Sequence, residues 1–442
     1  MHAYQIGRFL GWYYSSSLSG CKNPNHKPKI VIGKDTRRSS YMFEYSLAAG
    51  LTASGADVYM LHVTTTPSVS YVTKRDAFDC GIMITASHNP YFDNGIKIIN
   101  RNGEKADDET LSLIESYLDG NITALNLKND IPFEKRERLG CIVDYSAGRN
   151  RYIAYLIALA SHSYKHLRIG LDCANGASFA IARAVFSALG AQVEIIGAEP
   201  DGLNVNLDCG STHIERLCRL VKEKNLDVGF AFDGDADRCI AVDENGKTVD
   251  GDRILYILAK RFQERNMLEN NTVVATVMSN SGLTAGLWSE GIRCIQTTVG
   301  DRFVYECMLE NGYSLGGEQS GHIIMKKYAT TGDGILTAIM LTEELCDRKC
   351  VFSRLSDSLI LYPQYVKNLK VTNKEAVISD TCVHEKIKET EEKIDGKGRV
   401  LLRKSGTESV VRIMVECENE KECEKYAFEI ASVIKERGYG IE

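Results

Sequence analysis

The sequence contains no apolar run approaching the roughly 20 residues that a membrane-spanning helix needs. Its opening, MHAYQIGRFLGWYYSSS, lacks the sustained apolar core of a signal peptide. The expectation is a cytoplasmic protein without a membrane partner. Basic excess is missing as well: 53 lysines and arginines face 59 acidic residues, for a net charge of −6. That balance argues against a nucleic-acid partner, which would call for a basic stripe. No block of like charge reads as a disordered tail. The 14 cysteines include no C-x-x-C pair, and the nearest two are Cys346 and Cys350. Neither a zinc site nor a disulfide framework has such spacing, so reduced, mostly buried thiols are expected.

What is present is apolar material for several cores. With 442 residues, 44% hydrophobic and 25% charged, the chain suits two to four globular domains. Three stretches share an order of elements: KIVIGKDTRRSS from Lys29, LRIGLDCANGAS from Leu167 and TVVATVMSNSG from Thr272. Each is a β-rich run followed by a polar loop, a helical segment and a second strand opened by glycine, at Gly55, Gly190 and Gly291. A further helix follows each time, around Ser68–Lys74, Ile214–Lys224 and Arg302–Glu310, and then a third strand. Strands alternating with helices at this pitch predict right-handed βαβ units and mainly parallel sheets. The fold class is therefore α/β: three related domains with mainly parallel, mixed sheets. A strand–turn–strand and an amphipathic helix near the C-terminus predict a smaller α+β domain. We place the domains at 1–135, 136–243, 244–358 and 359–442.

The three repeats close on polar loops: TASHNP (Thr85–Pro90), DGDADR (Asp233–Arg238) and GEQSGH (Gly317–His322). Ligands of open parallel sheets bind beyond the carboxyl ends of the strands, so one central cleft could collect all three. Asp233, Asp235 and Asp237 repel one another unless a cation neutralises them, and oxygen ligands suit magnesium. An EF-hand is excluded, because Arg238 stands where that loop requires glycine. In GEQSGH, Glu318 and Ser320 could hold sugar hydroxyls. Asp301 and Arg302 mark a helix start that favours anions or polar ligands.

RKSGTESVVR supplies Arg403, Lys404, Ser405, Gly406, Thr407 and Arg412, a phosphate cradle without the Walker pattern. Arg37 and Arg38 also suit phosphate. Ser87 beside His88 is not a hydrolase nucleophile, since G-x-S-x-G is absent. A serine that exchanges a phosphoryl group needs a cation and a nearby proton acceptor, for which Lys97 or His88 qualifies. An aspartyl phosphatase would need an apolar-D-x-D-x-T motif, which DGDADR lacks.

Taken together, TASHNP, DGDADR, GGEQSGH and RKSGTE resemble the α-D-phosphohexomutase superfamily, in its order and from the N-terminus to about Glu416. The resemblance implies a phosphoserine at Ser87 and one Mg2+ per chain, held by its phosphate with Asp233, Asp235 and Asp237. It also implies assistance from Arg238, acid–base candidates Lys97 and His322, and a supporting role for His88. Glu318 and Ser320 would bind sugar hydroxyls, with Arg37, Asp301 and Arg302 nearby on the substrate. Arg403, Ser405, Gly406, Thr407 and Arg412 would hold the non-reacting phosphate.

Gln319 resembles the glucosamine branch more than the mannose or glucose branches. The implied activity interconverts glucosamine 6- and 1-phosphate through a 1,6-bisphosphate, which also serves as activator, in amino-sugar nucleotide synthesis. Other hexose phosphates, or an impaired phosphosugar-binding homologue, are the alternatives. A monomer or homodimer is expected. Relatives usually begin with F-G-T-D-G-x-R-G, whereas Met1 here enters at the first helix, so the first sheet is expected to lack an opening strand. Ser409 replaces a frequent proline after S-G-T-E.

Overall fold

The structure is a computed structural model that describes all residues except 21–22, 24–25, 405–408 and 442. The chain forms two compact units, 1–277 with 295–356, and 278–294 with 357–442.

The first unit carries the repeats. Its first sheet comprises β1 (Lys29–Lys34), β2 (Asp57–Val63), β3 (Cys80–Ile84), β4 (Ile96–Asn100) and β5 (Ile142–Asp144), in the order β4-β3-β1-β2-β5. The edges are therefore β4 and β5, with β1 at the centre. The second sheet comprises β6 (Arg168–Asp172), β7 (Gln192–Ile196), β8 (Val228–Phe232), β9 (Cys239–Asp243) and β10 (Thr248–Val249), in the order β10-β9-β8-β6-β7. The third is β12-β11-β13-β14, from β11 (Thr272–Thr276), β12 (Arg293–Thr297), β13 (Leu315–Gly317) and β14 (Ile323–Met325).

In the first two sheets the βαβ strands pair in parallel, β1 with β2 and β3, β6 with β7 and β8. β11 pairs in parallel with β13. β1, β3 and β8 are apolar and fully or almost fully buried, as strands covered by helices on both faces must be. Ile30, Ile32, Ile82 and Ile84 pack with Leu47 and Leu51 in one such core. The first helix, His2–Tyr13, meets the helix Ser40–Ala53 at glycines: a Cβ on Gly50 would stand 2.2 Å from the Tyr4 carbonyl.

Each polar loop joins a third strand to an antiparallel return. TASHNP leads from β3 to β4, DGDADR from β8 to β9, and the Glu318–His322 turn from β13 to β14. These returns were not read from the sequence. They tie both ends of each of these three loops into sheet strands.

The second unit holds the antiparallel sheet β15 (Gln364–Lys370), β16 (Arg399–Lys404) and β17 (Val410–Glu416), in the order β15-β17-β16. Val411, Ile413 and Val415 pack with Ala427, Ile430 and Ile434 of the helix Glu420–Glu436. The expectation of reduced thiols needs one correction: Cys417 and Cys423 are paired as a disulfide. Cys417 directly follows β17 and Cys423 lies in the first turn of the helix Glu420–Glu436, so the short turn from strand to helix brings them together. No described helix is long and apolar enough to cross a membrane.

Candidate active site

Ser87 follows β3 in a left-handed conformation, φ 50°, which a residue with a Cβ adopts only when its surroundings impose it. Arg37 is fully buried and donates to the carbonyls of Pro90, Asp93, Ser87 and Asn89, the last three at 3.0, 2.8 and 2.9 Å. Asp35 orients that guanidinium, accepting from Arg37 Nε at 2.7 Å, from Ser40 Oγ at 2.9 Å and from Thr85 Oγ1 at 2.8 Å. Thr85 Oγ1 in turn accepts from Ser87 N at 2.9 Å. From the second domain, Asn206 donates to the carbonyls of Ser87 and Asn89 at 2.9 and 3.0 Å. A Cβ on Gly234 would stand 2.6 Å from the Ser87 carbonyl, so glycine lets the acidic loop approach this closely.

Held in that way, Ser87 Oγ donates to Asp233 Oδ2 at 2.6 Å and lies 3.4 Å from His88 Nδ1. Asp233, Asp235 and Asp237 are buried, each with a carboxylate oxygen within 4.8 Å of the others. Burial first, then the charges of Asp237 and Asp235, pushes the Asp233 carboxyl up to about 8. Burial acts in the same sense on Asp237, but Lys97, His322 and Arg238 outweigh it and hold that carboxyl well below the usual range. Lys97 Nζ donates to Asp235 and Asp237 at 2.6 and 2.9 Å. Burial disfavours its charge, yet the two carboxylates override this and raise the ammonium above its ordinary value.

The triad fits a hard divalent cation. Asp235 Oδ1 and Asp237 Oδ1 are buried and accept no hydrogen bond, which leaves converging oxygen lone pairs of the kind such an ion takes. Arg238 adds its backbone N–H to Asp233 Oδ1 at 3.2 Å, and its guanidinium lies 4.0 Å from Asp237.

The third loop completes the cluster. His322 is buried, with Nε2 3.3 Å from Asp301 and 3.1 Å from the Gly332 N–H, and Nδ1 3.6 Å from Asp237. Burial lowers its basicity, and the two carboxylates more than offset it, so the imidazole is raised. Burial lowers His88, with Arg238 adding to the effect. Glu318 accepts from Gly300 N at 3.0 Å, and Ser320 Oγ is buried without a hydrogen-bond partner.

Ser87, His88, Lys97, Asp233, Asp235, Asp237, Arg238, Asp301 and His322 are thus linked by direct contacts. Two residues differ from the sequence reading. Arg37 cannot meet a substrate phosphate, because the loop it pins and Asp35 occupy its guanidinium. Arg302 is exposed and pairs with Asp108 and Glu306. Arg403 and Arg412 face each other across the β16–β17 register, whereas Ser405, Gly406 and Thr407 lie outside the described residues. The sequence reading missed Asn206 and Thr66, whose hydroxyl donates to the Asp235 carboxylate.

Comparison with known proteins follows the same order of loops. Residues 2–124, 150–246 and 250–365 match the phosphoglucomutase/phosphomannomutase alpha/beta/alpha domains I, II and III, and 366–433 match the C-terminal domain of that family. A phosphoglucosamine mutase of Lachnospira eligens is 55% identical over 440 residues, covering 100% of this chain and 95% of the relative. One of Lachnoclostridium phytofermentans is 54% identical, covering 99% and 95%. A solved phosphoglucomutase/phosphomannomutase family protein from Burkholderia thailandensis shares the fold, with a TM-score of 0.77 at 23% identity, covering 98% of this chain and 93% of that one. Matched along four successive domains and by full-length relatives, the chain belongs to the phosphoglucomutase/phosphomannomutase family of the α-D-phosphohexomutase superfamily.

Proposed function

We propose that this protein interconverts glucosamine 6-phosphate and glucosamine 1-phosphate, with Ser87 Oγ carrying the exchanged phosphoryl group. The observation that carries the reading is Ser87 itself, fixed in a left-handed turn with its hydroxyl 2.6 Å from the acidic triad. Full-length relatives at 54–55% identity are phosphoglucosamine mutases, which supports the choice of sugar.

The substrate's free hydroxyl forms its O–P bond as the bond at Ser87 Oγ breaks, and gives its proton to a neighbouring base. The bisphosphate turns end for end, and Ser87 Oγ forms its bond to the phosphorus at the other position as the sugar O–P bond there breaks and the released sugar oxygen takes the proton back. Mg2+, one per chain, would be held by Asp233, Asp235, Asp237 and the Ser87 phosphate, and supplies charge neutralisation for transfer. His88, Lys97 and His322 are the proton-handling residues within reach, and Arg238 balances negative charge beside Asp233. Glu318 and Ser320, the latter an unsatisfied buried hydroxyl, take sugar hydroxyls. Arg403, Ser405, Gly406, Thr407 and Arg412 are assigned the phosphate that is not reacting.

The test is phosphorus NMR of the protein with Mg2+, a trace of glucosamine 1,6-bisphosphate and glucosamine 6-phosphate, beside glucose and mannose 6-phosphates. The expected result is 1-phosphate, formed fastest from glucosamine and absent with Ser87→Ala. No 1-phosphate from any sugar would overturn the reading, and a faster rate with glucose or mannose would reassign the substrate.

A further inference from the structure

A cavity of about 400 Å³ lies between the helix Thr66–Arg75, the helix Ser146–Leu159 and the segment following β14. None of the residues assigned to catalysis lines it. One wall is aromatic. Tyr71 and Tyr155 stack with ring centroids 4.6 Å apart, and the Tyr155 hydroxyl donates to the Tyr328 carbonyl at 2.7 Å.

The rim is cationic, although the chain as a whole is acidic. Lys74, Arg75, Lys326 and Lys327 all contribute, against a single carboxylate, Asp333. That carboxylate is already engaged, accepting from the Tyr152 hydroxyl at 2.8 Å and from Leu336 N at 2.9 Å. Among the described residues, none of the four cations forms an ion pair. Lys326 reaches the Met308 carbonyl at 3.5 Å, and Lys327 reaches the Met267 sulfur at 3.7 Å and lies 5.6 Å from the centroid of the Tyr328 ring, neither of them a carboxylate. Unpaired cations gathered around a flat aromatic wall are the complement of a ligand with several negative charges and a planar ring. The volume falls in the range of about 300–1,000 Å³ typical of small-molecule sites.

We propose that this cavity binds a nucleoside di- or triphosphate, the base against the tyrosines and the phosphates among the four cations. One phosphate would not need four cations, and a hexose bisphosphate has no π-face for the tyrosine wall. The site is also coupled to the catalytic cluster. Pro67 and Ser70 line it, and their helix starts at Thr66, whose N–H donates to the Asp235 carbonyl at 3.0 Å. On the other side Thr330 leads to Gly332, which donates to His322. An occupant braces both segments, so binding changes the turnover of the neighbouring site.

The experiment is titration of the full-length protein with a fluorescent N-methylanthraniloyl-ADP, read by anisotropy so that it needs no turnover. Saturable binding is expected, displaced by ADP or UDP but not by glucosamine 6-phosphate, pyrophosphate or glucose 1,6-bisphosphate. The double variant Lys74→Gln/Arg75→Gln, and separately Lys327→Gln, should each weaken binding about ten-fold or more while circular dichroism stays unchanged. Unchanged affinity in both variants would mean that the probe sits elsewhere. Displacement by glucosamine 6-phosphate would place the probe in the sugar site, and displacement by pyrophosphate would reduce the cavity to a phosphate site. Those outcomes, or no saturation, overturn the proposal.

Discussion

The side-chain amide of Asn206 donates to the carbonyl oxygen of Ser87 at 2.9 Å, an oxygen that Arg37 also holds at 2.8 Å. One donor comes from the first sheet's loop and the other from the second domain, so the serine turn is clamped from both sides. A carbonyl with two fixed donors cannot swing, and the left-handed Ser87 is preserved by that restraint.

Removing the inter-domain half of the clamp should therefore act on turnover more than on binding. For Asn206→Ala we expect kcat to fall about ten-fold or more, because small misplacements of a reacting group are costly. KM for glucosamine 6-phosphate should change little. Steady-state kinetics decide this, and an unaltered kcat would show that Arg37 alone suffices.

Arg37→Lys keeps the charge but cannot reach four loop carbonyls and Asp35 at once. Stranding buried acceptors should destabilise the fold by about 3 kcal/mol or more in urea titration. A loss below about 1 kcal/mol would mean that water replaces the guanidinium.

Chelation should separate activity from stability. Lys97 already lies on Asp235 and Asp237, so the acidic loop keeps a counter-charge without a divalent cation. EDTA should abolish mutase turnover, Mg2+ should restore it, and the melting temperature should move by less than about 2 °C, equivalent to roughly 1 kcal/mol or less. A collapse of the melting temperature on chelation would assign the cation a structural role as well.

Burial pushes the Asp333 carboxyl up to about 6, against the donors Leu336 N and Tyr152. The folded state thus binds a proton that the unfolded chain, with a pKa near 3.9, releases earlier. The stabilisation is fully present below about pH 4 and is lost as pH rises through about 6. Its size is about 2–3 kcal/mol, two pKa units at 1.36 kcal/mol each. Urea midpoints from pH 4 to 7 should show this slope in the parent and a flatter one in Asp333→Asn. Equal slopes would refute the assignment.

Much of this was legible in the sequence for a physical reason. Buried parallel strands such as Lys29–Lys34 and Val228–Phe232 must be continuous apolar runs, and the glycine at Gly55, Gly190 or Gly291 announces the next strand. DGDADR declares its chemistry because three carboxylates so close have few other uses. The antiparallel returns β4, β9 and β14 were harder, since short apolar segments such as Cys239–Asp243 carry no mark of direction. Arg37 misled because a cation at a loop edge looks the same whether it serves a ligand or the backbone carbonyls of its neighbour. Asn206 left no signal at all. Its partner is a main-chain oxygen 119 positions away, and such oxygens are alike at every position.

The same strand, turn and antiparallel return recur in all three α/β sheets, with a serine turn, an acidic turn and a glutamate–serine–histidine turn at the tips. One backbone solution has been copied and then specialised, each copy supported by its own core. Division of labour of this kind lets a tip residue be exchanged at one hairpin without recasting the other two. A change at the Glu318–His322 tip therefore leaves the Ser87 turn and the aspartate turn on their own strands.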